Sequence, residues 1–292
     1  MSLPPEILKK VKLIEISTRK LVNNIFMGEY HSAFKGQGMT FSEFREYVPG
    51  DDVRDIAWTV TARTGKAHIK RYDEERELTT FLVVDVSGSG DFGSGEYSKG
   101  EVIVHLAALL GYSAAKNNDR VGLLSFSDQI ENFVPPKKGM GQVHRILRDL
   151  LYEKPKSNKT DLRGALEHLN SSLRKKANIF VISDFIAPDY STPLKLLGRK
   201  HDLTAIWIHD KKEKSLPDLG LIQMYDPESD EMLWVDSSDR SVRQAYENYF
   251  KKEDIDRRNL LRKSEVKLVE VDSSGNYVDP LVAYFKKRNR SG

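Results

Sequence analysis

Thr79-Thr80-Phe81-Leu82-Val83-Val84-Asp85-Val86-Ser87-Gly88-Ser89 is the stretch from which the rest of the chain is read. Its first six residues are a largely apolar, β-branched run, the pattern of a strand buried on both faces, and the run ends on an acid. Directly beyond it, three oxygen-bearing side chains, Asp85, Ser87 and Ser89, stand at alternate positions.

Downstream, helical and strand patterns alternate. A helix over about 99–116 precedes a strand at Val121–Phe126 and a short strand at Ile130–Val134 after a tight turn. Helices near 141–152 and 161–175 lead to a strand at Asn178–Ser183. A helix near 190–200 and a strand at Leu203–Ile208 repeat the pattern. The segment 221–235 reads as a hairpin turning at Pro227–Asp230, followed by a long helix over about 239–262, a strand at Val266–Val271 and a last helix from Pro280. Helices interleaved with buried strands predict an α/β fold, a doubly wound and mostly parallel sheet with helices on both faces.

In such a sheet, ligands bind outside the carboxyl ends of the strands where the strand order reverses, and in the order 3-2-1-4-5-6 that point lies between strands 1 and 4. Asp85 ends the first strand of this domain and Asp184 follows the fourth. Between them, Thr160-Asp161-Leu162 falls at a helix start, where either Thr160 or Asp161 can serve as the N-cap. Two carboxylates and three hydroxyls, from Asp85, Ser87, Ser89, Thr160 and Asp184, are hard oxygen donors. They suit Mg²⁺, Mn²⁺ or Ca²⁺ better than zinc or copper.

These five residues match a known pattern, the metal-ion-dependent adhesion site of von Willebrand factor A domains: Asp-x-Ser-x-Ser, a distant Thr, then Asp. The resemblance implies that the serines and the threonine lie on the metal, that the aspartates act through water, and that a partner protein offers a carboxylate to the ion. Upstream, Phe41-Ser42-Glu43-Phe44-Arg45-Glu46-Tyr47-Val48-Pro49-Gly50-Asp51-Asp52-Val53-Arg54, continuing through Ile56, Trp58, Ala62-Arg63, Lys70, Tyr72 and Glu75, is more specific. With the metal motif, it resembles the bacterial family catalogued as "domain of unknown function 58" over roughly residues 28–240. That resemblance implies a MoxR-type AAA+ ATPase as partner. The chain departs from the family pattern at Gly90, where Met is common, and at Asn158-Lys159, where a glycine pair is usual. Lys159 would place a cation near the metal.

The N-terminal part reads as an extension, residues 1–77, before the main domain at 78–292. It contains an amphipathic helix from Pro5 to about Phe26, carried by Ile7, Leu8, Val11, Leu13, Ile14, Leu21, Val22 and Ile25, and then irregular structure with short strands. Arg45, Asp51, Asp52, Arg54, Asp55 and Arg63 suit ion pairs that brace this loop-rich segment, or alternatively a partner surface.

Bulk composition narrows the function further. Hydrophobic residues at 39% and charged residues at 30% describe a soluble globular protein. A net charge of +3 argues against nucleic-acid binding by charge. The chain has no cysteine, which rules out disulfides, thiolate metal sites and cysteine nucleophiles. No run approaches the roughly 18 apolar residues of a membrane span, so the cytoplasm is the expected location.

Two competing motifs remain. Gly88-x-Gly90-x-x-Gly93 formally matches a dinucleotide fingerprint, but Ser94-Gly95-Glu96-Tyr97 delays the helix that would meet a pyrophosphate, and Asp85 would repel it. A metal-dependent phosphohydrolase with Asp85 as nucleophile is the alternative function. It wants an Asp where Ser87 stands and a later Lys. The histidines show no zinc-hydrolase spacing. The sequence thus points to a non-enzymatic, metal-dependent protein-binding module.

Overall fold

The structure, a computed structural model, describes residues 5–22, 27–33, 39–74, 78–152, 154–226 and 231–291. In chain order the elements are α1 (Pro5–Leu21), α2 (Met27–Ala33), β1 (Met39–Glu46), α3 (Trp58–Thr64), β2 (His68–Glu74), β3 (Thr79–Asp85), α4 (Lys99–Lys116), β4 (Arg120–Phe126), β5 (Ile130–Lys138) and α5 (Met140–Tyr152). There follow α6 (Leu162–Ser172), β6 (Asn178–Ser183), α7 (Ser191–Lys200), β7 (Asp202–His209), β8 (Leu221–Asp226), β9 (Glu231–Asp236), α8 (Arg240–Lys263), β10 (Lys267–Asp272) and α9 (Val278–Ser291).

Two compact units emerge, one made of Met1–Ala33 with Thr79–Gly292 and a smaller one of Phe34–Leu78. The boundary expected at 77/78 therefore divides the chain differently. An extension over 1–77 would include the N-terminal helix, whereas α1 packs on α4 and α5, and α2 packs on α9. Ile14, Val22 and Tyr30 are buried there, and the Tyr30 hydroxyl lies 2.9 Å from Thr80 Oγ1. Helix α2, within a segment expected to be irregular, was not anticipated. The expected residues beyond Val22 up to Phe26, Glu75 and the turn at Pro227–Asp230 lie outside the described residues.

In the larger unit the strands form a six-stranded sheet ordered β10-β7-β6-β3-β4-β5, parallel except for β5. Numbered along the chain and read from the β5 edge, this is 3-2-1-4-5-6, with the reversal between β3 and β6. Burial follows the alternation of a strand. Phe81, Val83, Leu124, Phe126, Val181 and Trp207 turn to one face, where they meet α6, α7 and Leu261 of α8. Leu82 turns to the other, where it approaches Gly111 of α4. Full burial of Phe81 through Val84 at about 1.5–3 kcal/mol per large side chain makes β3 the centre of the core.

Strand β5 runs on through Pro135 and Pro136 to Lys138, past the end expected at Val134. As the antiparallel edge strand it tolerates residues without an N–H, which a central strand would not. Gly122 opposite makes room for them, since a Cβ there would lie 2.7 Å from the Phe81 ring and 3.1 Å from Pro136.

In the smaller unit, β1 and β2 pair antiparallel with an irregularity between Phe41 and Glu43. Arg45 grips Asp51 through two hydrogen bonds of 2.9 and 2.7 Å, and Asp51 also accepts the Val48 N–H at 2.9 Å. Arg54 pairs with Asp52, which caps the short 3-10 turn Val53–Asp55. Gly50 takes φ 114°, a conformation open to glycine. Four of the charged residues in Tyr47–Arg54 and its flank thus brace a turn, as one of the two readings expected.

Candidate functional site

The site is built at the carboxyl edge of the sheet, where β3 and β6 end side by side. Crossovers from the two strands diverge there, and the first turns of α4 add Lys99 and Ile103 to the lining. Asp85 is 5% exposed and Asp184 6%. The Asp85 carboxylate accepts the Ser87 N–H at 3.0 Å on one oxygen and the Ser183 hydroxyl at 2.6 Å on the other. Those bonds fold the chain back over its own strand end and bring the Ser87 and Ser89 hydroxyls to 3.2 Å from each other. Asp184 accepts the Ile186 N–H at 3.1 Å. Phe185 between them holds a left-handed φ of 55°, costly for an aromatic residue. Its buried ring and its N–H donation to Ser183 Oγ at 2.9 Å keep it there.

Asp85, Ser87, Ser89 and Asp184 line one small cavity of about 10 Å³, together with Gly90, Lys99, Ile103 and Ile208. That is about the room for one water-sized body. Thr160 does not line it. It is half-buried in the loop between α5 and α6, directly before Asp161, whose side chain takes the Gly164 N–H at 2.9 Å and is the N-cap of α6. Three anchors hold this loop near the serines: Asn158 C=O accepts the Gly88 N–H, Ser127 C=O accepts the Asp161 N–H, and Glu131 accepts the Lys156 N–H at 2.9 Å.

Sequence reasoning missed the cation of the site. Lys99, 1% exposed, places its ammonium 3.3 Å from Asp184 and 2.9 Å from Glu213. Lys159, expected to be the nearby cation, is exposed and is not among the cavity's lining residues. Burial pulls the Lys99 pKa down, yet Asp184 and Glu213 outweigh it and leave the group above its ordinary value. A signal was present in the sequence. Lysine at the first residue of a helix opposes the helix dipole, so it calls for a specific anionic partner.

Charge is left over even so. Asp85, Asp184 and Glu213 face a single ammonium, an excess of two negative charges if all are ionised. Burial, then the Asp184 charge, push the Asp85 carboxyl up to about 6. Two hard carboxylates and two hydroxyls with that excess fit a small divalent cation. Clusters of three or more His, Cys, Asp or Glu suited to a metal do not occur among the described residues, so any ion here depends on the hydroxyls.

Asp210, fully buried just after β7, is a second unanticipated organiser. It accepts the Ser94 N–H and hydroxyl, the Lys212 N–H and the Ser273 hydroxyl. Gly88–Asp91 form a 3-10 turn, and α4 begins only at Lys99, where Ser98 and Glu101 make a capping box. The delay that disfavours a dinucleotide fingerprint is thus present, and that helix N-terminus is satisfied from within.

Strand order 3-2-1-4-5-6 with an antiparallel third strand, and an Asp-x-Ser-x-Ser loop at the reversal, define a von Willebrand factor A-like α/β domain. The chain belongs to the family described as "Protein of unknown function DUF58", which matches residues 43–256. It is 31% identical over 228 residues to uncharacterized proteins of Mycobacterium bovis and Mycobacterium tuberculosis, covering 77% of this chain and 72% of each relative. In fold it is similar to the conserved hypothetical protein BatB from Bacteroides thetaiotaomicron, with a TM-score of 0.50 at 14% identity, over 73% of this chain and 99% of that one. No helix among the described residues is long and apolar enough to cross a membrane.

Proposed function

We propose that this protein is a non-enzymatic binding module that holds Mg²⁺, or Mn²⁺ or Ca²⁺, at Asp85, Ser87, Ser89, Thr160 and Asp184 and presents it to a carboxylate of a partner protein. One observation carries the reading. Four of the five side chains surround a single ion-sized cavity lined by two carboxylates and one ammonium, at the carboxyl edge of the sheet where such folds bind ligands. Thr160, half-buried on an anchored loop beside the Gly88 backbone, is the donor that would face outward toward a partner. When bound, the ion would supply an electrophilic position for an anionic oxygen.

The phosphohydrolase alternative fares worse. Both Asp85 oxygens are already engaged by Ser87 and Ser183, and the cavity of about 10 Å³ is tight for a phosphoryl group. Lys99 does supply a lysine, but on Asp184 rather than on the presumed nucleophile.

The family resemblance makes a MoxR-type AAA+ ATPase the partner to test. Binding isotherms of the purified pair are expected to show affinity in Mg²⁺ that is lost in chelator and in Thr160→Ala. Equal affinity in all three conditions would end the metal-dependent reading and turn attention to the smaller unit, where Val48, Val53 and Trp58 are exposed.

A further inference from the structure

We propose that Lys99 sets the cation affinity of this site: its tethered ammonium competes with a divalent ion for Asp184 and holds that affinity down. The inference rests on the donor-set reading above but assigns a role to a residue outside the donor set.

Its geometry carries the argument. Lys99 lines the same cavity as Asp85, Ser87, Ser89 and Asp184, and its ammonium reaches Asp184 from the first turn of α4. An ammonium has three donors and no acceptor, so it cannot ligate an ion and can only repel it. Glu213, on the turn after β7, holds it in place at 2.9 and 3.2 Å. Tyr246 of α8 donates to the Glu213 carbonyl at 3.0 Å, and Lys214 next to it pairs with Asp254 of the same helix. The turn that carries the clamp on Lys99 is therefore itself braced.

Burying a lysine against the helix dipole beside a donor carboxylate is unfavourable unless the charge is compensated, and here two carboxylates compensate it. The consequence is a site that is stable without metal and yields only modest affinity to it. A bound ion would then keep more of its charge for an anionic oxygen.

Titration of the whole protein with Mn²⁺, followed by electron paramagnetic resonance of the free ion and by calorimetry, tests this. Lys99→Met and Lys99→Gln remove the charge, the second keeping a hydrogen-bond donor for Asp184 and Glu213 in case the first does not fold. Lys99→Arg keeps the charge. Both neutral variants are expected to bind Mn²⁺ about tenfold or more tightly than the wild type, and Lys99→Arg like the wild type. Tight binding by the neutral variants with none by the wild type supports the role of Lys99 while ending the claim that the native site holds metal. Wild-type binding that the neutral variants match or fall below overturns the role and leaves the donor set intact. Absence of binding in every variant overturns both.

Discussion

The Ser183 hydroxyl donates to the Asp85 carboxylate at 2.6 Å and at the same time accepts the Phe185 N–H at 2.9 Å. One side chain at the end of β6 therefore orients the acid at the end of β3 and holds the left-handed turn that presents Asp184. Ser183 is fully buried, so neither bond is shared with solvent.

Ser183→Ala is expected to cost about 1–3 kcal/mol, because it leaves a buried carboxylate oxygen and a buried N–H without this partner. Urea unfolding measures the loss. A cost near zero would mean that Asp85 is oriented by the Ser87 N–H alone.

Divalent metal should raise the melting temperature by mass action, by about 2.7 kcal/mol of stability at a hundredfold excess over Kd. Burial first, and then the Asp184 charge, lift the Asp85 carboxyl to about 6, and a bound cation would offset both. Asp85→Ala is expected to abolish the rise and Ser87→Ala to reduce it. A melting temperature indifferent to millimolar Mg²⁺ and Mn²⁺ counts against the site.

Thr160→Ala and Asp161→Ala should separate binding from folding. Asp161 caps α6, so its loss is expected to cost about 1 kcal/mol of stability. Thr160→Ala should weaken partner binding by more than its effect on unfolding accounts for. Partner affinity untouched by Thr160→Ala would remove it from the donor set.

Acid stability should depend on Asp202. Burial alone would raise its pKa, but hydrogen bonds from Arg288 and from Lys267, the latter at 2.5 Å, hold it down at about 2. A carboxylate depressed on folding stabilises the native state above its unfolded pKa near 4. That contribution, about 2 kcal/mol, disappears as the pH falls from about 4 to about 2. Asp202→Asn should flatten this part of the stability curve measured by chemical denaturation. An unchanged acid limb would place the charge effect elsewhere.

A fragment starting at residue 78 should be markedly less stable than the full chain, because it uncovers the surface under Ile14, Val22 and Tyr30. Differential scanning calorimetry of the two proteins compares them. Equal melting temperatures would show that α1 and α2 add nothing to the α/β unit.

Much of this protein was legible before any coordinates. Apolar runs such as Phe81–Val84 and Ile179–Ile182 record burial on both faces, and helical periodicity marks α4 and α8 to within a residue or two of their ends. The Asp85-x-Ser87-x-Ser89 spacing and the position of Asp184 followed from the same local patterns, because a strand's end and a loop's alternation are properties of neighbouring residues. Tertiary structure alone decided which polar groups meet. Lys99 and Glu213 are 114 residues apart, and Ser94 and Asp210 116 apart. The packing of α1 and α2 onto the α/β unit, and the passage of β5 through two prolines, likewise depend on which strand lies at the edge and which helix faces stay open. Local periodicity records how deeply a residue is buried. Its partner is set by the crossovers, which bring distant segments to one edge of the sheet.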